Sequence, residues 1–98
     1  MTVEMLRAHR VLYRRQGGQC ATCGARLGLF EGELAHRVPQ TKGNIRKYGK
    51  AVIHHVDNLA LVCRGSDRCN SGADIRNHPV AVRELVAIIE SQLPTEEE

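Results

Sequence analysis

Four cysteines fall in two pairs, Cys20-x2-Cys23 and Cys63-x5-Cys69. Two intervening residues let both sulfurs of the first pair reach one ion, and Gly24 permits the close turn beyond it. Zinc favours tetrahedral sulfur coordination, so four thiolates from two knuckles make a closed structural site. A four-cysteine zinc site would pin the end of the first helix to the end of the second strand, coupling metal binding to folding. A redox dithiol would account for Cys20 and Cys23 but leave Cys63 and Cys69 without a role. The second pair is looser than the first, because its five intervening residues exceed the usual spacing of about two to four.

Between the pairs lies the stretch from Glu33 to Asn70, which carries the other residues of chemical interest. His36 ends one apolar run in Glu33-Leu34-Ala35-His36-Arg37-Val38-Pro39, and Asn58 opens the next, Leu59 to Cys63. Asn70 follows directly on Cys69, where a helix could begin. His54 and His55 precede Asn58 and invite reading as metal ligands, but a packing or phosphate-contacting role is favoured over metal binding. His9 has no second ligand one helical turn away and reads as an ordinary packed or exposed histidine.

These residues need elements to hold them. Thr2 to Gln16 reads as a helix, with Thr2 as cap, Met5, Ala8 and Leu12 on one face, and Gly17-Gly18 as its stop. Gly28 to Gly32 reads as a short strand or hairpin. The Leu34/His36/Val38 alternation predicts a first strand ended by Pro39, and Leu59 to Cys63 a buried second one. Gln40 to Ala51 is a basic connector with room for a brief helix. A helical stretch is expected from Cys69-Asn70 to about Arg76. Pro79, following Asn77-His78, starts an amphipathic helix in which Val82, Leu85, Val86, Ile89 and Leu93 recur at helical spacing until Pro94. The fold class is therefore small α+β, one domain over 1–93, with 94–98 an acidic disordered tail.

At 98 residues, with Phe30, Tyr13 and Tyr48 as its only aromatic rings, the chain has a marginal apolar core, which makes a metal staple the more useful. It has no apolar run long enough to span a membrane and no signal-peptide pattern at its start, so a cytoplasmic protein is expected. In a reducing compartment, paired cysteines point to metal rather than disulfides. The net charge of +3 hides an asymmetry: eleven basic against four acidic side chains up to Arg64, then three against seven. A basic body of this kind suits an anionic partner, most simply nucleic acid.

Gly17-Gly18-Gln19-Cys20-Ala21-Thr22-Cys23-Gly24, then Ala35-His36-Arg37-Val38-Pro39, then Asn58-Leu59-Ala60-Leu61-Val62-Cys63 and Cys69-Asn70 together resemble the HNH endonucleases. Members of that family commonly carry a zinc knuckle, then Asp-His-Ile-x-Pro, then Asn-Leu-x-x-Leu-Cys-x-x-Cys-Asn. The likeness runs from about Tyr13 to Asp74. It implies a small ββα-metal (His-Me finger) core, stapled by the four-cysteine zinc site and flanked by an N-terminal and a C-terminal helix.

The resemblance implies roles. His36 would be the general base that takes a proton from the attacking water, a task suited to imidazole. Asn58 would orient the histidine ring or its loop, and Asn70 would ligate a catalytic divalent metal. Magnesium or manganese fits oxygen ligands best, with nickel or zinc also accepted by this family. Where the family places Asp before the base, this chain has Ala35, which offers no ligand. Asp74, four residues after Asn70, and Glu33, on the strand face of Ala35, are the candidates to complete the site.

The implied function is metal-dependent hydrolysis of DNA phosphodiester bonds, by nicking or double-strand cutting. Arg14, Arg15, Arg37, Lys42, Arg46, Lys47 and Lys50 would contact the phosphates. With no base-reading element, sequence specificity should be low. By resemblance, such standalone proteins come from bacteriophage or mobile elements, and a larger phage machine is a candidate partner. The rival, supported by Ala35, is a zinc-stapled nucleic-acid-binding module without catalysis. A protein-interaction module using the Pro79–Gln92 helix is a third reading.

Overall fold

The computed structural model describes residues 1–94. Those residues form five helices and one two-stranded antiparallel sheet. Most of the tail expected to be disordered, from Thr95 onward, lies outside the described residues. No helix among the described residues is long and apolar enough to cross a membrane.

The first helix, α1, runs Val3–Arg15, and Thr2 caps it as expected by accepting the Met5 N–H at 3.1 Å. Ala8, His9 and Leu12 are its buried face, whereas Met5 is exposed. Gly17 and Gly18 adopt φ of 64° and 72°, the left-handed region that ends a helix at little cost for glycine. The chain then forms the knuckle, closed by Gly24 N–H to Cys20 C=O and by a bridge between Gln19 and Arg26.

The segment 28–32 differs from expectation: it is a turn rather than a strand. Phe30 takes a positive φ of 68° there. The Arg64 guanidinium holds this turn by donating to the carbonyls of Phe30, Glu31 and Gly32. Three backbone acceptors met by one distant arginine outweigh the local strand tendency of Leu29-Phe30.

Strand β1, Glu33–His36, pairs antiparallel with β2, Leu59–Val62, in a register that sets Ala35 opposite Ala60 and His36 opposite Leu59. The strand stops at His36, three residues short of Pro39. Between the strands lie α2 (Lys42–Tyr48), α3 (Lys50–Ile53) and a 3-10 turn (Val56–Asn58). Thr41 caps α2, and Gly49 at φ 90° separates it from α3. Helix α4, Asp67–Gly72, is capped by Ser66, and α5 is Pro79–Gln92.

The buried side chains form two clusters. One gathers Leu12, Cys20, Leu27, Ala35, Leu61, Val62 and Cys69 around the sheet. The other gathers Val38, Val52, Ile53, Leu85, Val86 and Ile89, so α5 closes over α3. The free edge of β2 is covered as well. Gln16 accepts from Leu61 N–H at 2.9 Å and donates to Leu61 C=O at 3.0 Å, standing in for a third strand.

Candidate metal centre and histidine site

The knuckle after α1 brings Cys20 and Cys23 to the end of β2, where Cys63 emerges, and to α4, which carries Cys69. The four sulfurs all lie within 4.8 Å of one another. The five residues between Cys63 and Cys69 contain the Gly65 turn (φ 73°) and the Ser66 cap, so the longer spacing accommodates a turn plus the first turn of α4. Thr22 ties the knuckle to that helix by donating to the Cys69 carbonyl at 2.6 Å. Gly72 is needed beside it, since a Cβ there would overlap the Thr22 methyl group.

The donor set fits a metal. Cys20 Sγ accepts from the Thr22 and Cys23 N–H groups, each at 3.4 Å. Burial opposes ionisation of Cys20, but these bonds, with further ones from Cys63 and Cys23, outweigh it and bring the thiol down to about 6. At Cys63 the hydrogen bond with Cys23 comes first, followed by burial and the other thiols, pushing it up to about 12. A first thiolate forms readily and repels the next. Four sulfurs gathered this closely could hold a structural ion such as zinc.

His36, at the end of β1, is half buried. Its Nε2 lies 3.3 Å from His54 Nδ1, with the rings edge to face at 76°. Burial, and then the charge of His54, hold the His36 pKa below the ordinary histidine value. His54 is the C-terminal cap residue of α3 and is exposed. His55 does something else: its Nδ1 accepts from Asp57 N–H at 3.1 Å and caps the 3-10 turn.

Asn58 is fully buried and joins the parts. Its Oδ1 accepts from Val38 N–H at 2.8 Å, while its Nδ2 donates to Val38 C=O at 3.0 Å and to Ile53 C=O at 2.8 Å. Its own carbonyl accepts from Arg37 N–H at 2.8 Å. It therefore fixes the loop after His36 rather than the imidazole itself.

The remaining expected ligands are placed differently. Ala35 is 1% exposed and pairs with buried Ala60, so its position belongs to the core. Glu33 shares the strand face of Ala35, not that of His36, and its carboxylate accepts from Gly65 N–H at 3.0 Å. Asn70 is exposed on α4. That helix ends at Gly72 instead of reaching Arg76, so Asp74 is not one helical turn along the same face. Asp74 instead binds the Arg76 backbone and guanidinium at 2.8 and 2.7 Å.

Among the basic residues, Arg14, Lys42, Arg46, Lys47 and Lys50 are exposed or partly so, and Arg37 is half buried. Arg15 is paired with Asp57 at 2.6 Å, which offsets its charge. Sequence reasoning missed the direct contact of His54 with His36 and the clamp made by Arg64. Neither carries a local signal, because each depends on residues brought together from distant parts of the chain. No protein-family model, curated protein or solved structure matches this chain.

Proposed function

We propose that the chain is a metal-dependent endonuclease of the HNH type that hydrolyses DNA phosphodiester bonds with low sequence specificity. The observation that carries this reading is the buried Asn58 amide, which clamps the backbone directly after a half-exposed histidine. A general base needs such fixed placement. The order of a strand ending in His36, an antiparallel strand following Asn58, and a short helix bearing Asn70 supports reading these elements as a ββα-metal core.

In this reading, His36 takes the proton of the attacking water. Its lowered pKa keeps it unprotonated, so the acidic limb of the pH–rate profile should fall below the usual imidazole range. Asn70 is the protein's candidate ligand for a divalent ion that would stabilise the leaving oxygen. The cysteine cluster supplies rigidity, and the exposed basic side chains of α1 and of α2–α3 supply phosphate contacts, giving salt-sensitive binding.

A supercoiled plasmid tests the proposal. Protein with zinc at the cysteine cluster should convert it to open circles when magnesium or manganese is added. His36→Ala should lower the rate by about two orders of magnitude or more while leaving zinc content unchanged. An equally active mutant would remove His36 from the chemistry.

Ala35 favours a second reading. Because that core position offers no ligand, a zinc-stapled nucleic-acid-binding module predicts salt-sensitive DNA binding with no cleavage by any metal.

A further inference from the structure

We propose that His36 and His54 form a second transition-metal site, separate from the cysteine cluster, that takes a zinc-class ion through two imidazole nitrogens. The geometry is the first argument. Zinc–nitrogen bonds of about 2.0–2.1 Å in a tetrahedron place two ligand nitrogens about 3.3–3.4 Å apart. His36 Nε2 and His54 Nδ1 lie 3.3 Å apart. The cysteine cluster is an internal comparison: zinc–sulfur bonds of about 2.3 Å give a tetrahedral edge of about 3.8 Å, and Cys23 and Cys63 sulfurs are 3.6 Å apart.

The second argument is preorganisation. The Asn58 amide bonds Val38, two residues after His36, and Ile53, the residue immediately before His54. One buried side chain thus fixes both backbones that present the rings. His36 is also held by its pairing with Leu59, and His54 by the anchoring of Val52 and Ile53 in the core. An ion entering here meets a pair of donors already in place, which lowers the ordering cost of binding.

Without an ion, one ring donates a hydrogen bond to the other. On binding, the donor ring moves its proton to its other nitrogen, so two neutral imidazoles face the ion and no net proton is released. Imidazole suits zinc, copper or nickel better than magnesium. The exposure of His54 leaves the remaining coordination positions open to water or an anionic oxygen. An ion here also takes the His36 lone pair that a base would use. The consequence that zinc then suppresses cleavage, unlike the binding itself, rests on the nuclease reading.

The test starts with protein holding one zinc at the cysteine cluster. Zinc is added while bound metal is counted by equilibrium dialysis and the imidazole resonances are followed by NMR. A second, weaker equivalent should bind and shift the signals of His36 and His54. H54A, and separately H36Q, should weaken that equivalent more than about tenfold while keeping the first. Binding of only one equivalent would overturn the proposal. So would a second equivalent that leaves both imidazoles unmoved in the wild-type protein, a result that needs no variant. In the plasmid assay with magnesium, the second equivalent should suppress cleavage. Absence of cleavage altogether would count against the nuclease reading and leave the stoichiometry to decide the metal site.

Discussion

The two buried clusters are held together by different physics. Around the sheet, the core is small: Ala35, Leu61 and Val62 pack with Leu12 and Leu27, and two of its buried members are cysteines. Around α5, the core is aliphatic, with Ile53 and Ile89 fully buried and no candidate metal ligands among its members. The first region gathers four sulfurs that could hold a structural metal ion. The second depends on apolar area removed from water, about 2 kcal/mol for a side chain such as Ile89. Asn58 lies where they meet, a polar group satisfied by three buried bonds.

The largest effect should come from taking the metal away. Cys69→Ser, or a strong chelator, should strip hydrogen-exchange protection from residues 20–27 and from α4, since ion binding and local folding are one event there. The α5 amides should outlast them. Simultaneous loss everywhere would show that the two regions are a single cooperative unit.

Asn58→Ala should come next, costing about 4–5 kcal/mol in urea unfolding, because Val38 N–H, Val38 C=O and Ile53 C=O lose their partner inside the protein. Ile89→Ala should cost about 3 kcal/mol through the cavity it leaves, with zinc content unchanged. Zinc loss in that mutant would break the distinction between the regions.

The smallest effect belongs to Asp57, which links α1 to α5 through Arg15 at 2.6 Å and Gln92 at 2.9 Å. The Arg15 hydrogen bond, assisted by Gln92 and opposed by burial, holds its pKa below the ordinary carboxylate value. Its stabilisation is therefore complete above the unfolded-state pKa and lost as pH falls through the lower folded value. Asp57→Asn should cost under about 1 kcal/mol at neutral pH and reduce the acid sensitivity of unfolding.

The comparison also shows what can be read in advance. α1 with its Thr2 cap, α5 with its Pro79 start, and the cysteine quartet all announce themselves through local spacing. The turn at 28–32 does not, because Arg64, more than thirty residues on, imposes it. Asp74 looks like a partner of Asn70 only while α4 is expected to run on. Its early end at Gly72, beside the knuckle residue Thr22, is not announced by periodicity. His54 invites a ligand reading in sequence, but its partner is not legible there: its meeting with His36 depends on the register of β1 against β2 and on the Asn58 bonds to both backbones.

A two-stranded ribbon is ordinarily open to recruitment by any extended chain that finds its rim. Here Gln16 occupies the outer N–H and C=O of Leu61, and Ala21 N–H adds a bond of 2.9 Å to the same carbonyl. Self-association by strand addition on that side would first have to evict a side chain anchored to the end of α1. On that side the ribbon is guarded by one glutamine side chain and one backbone N–H.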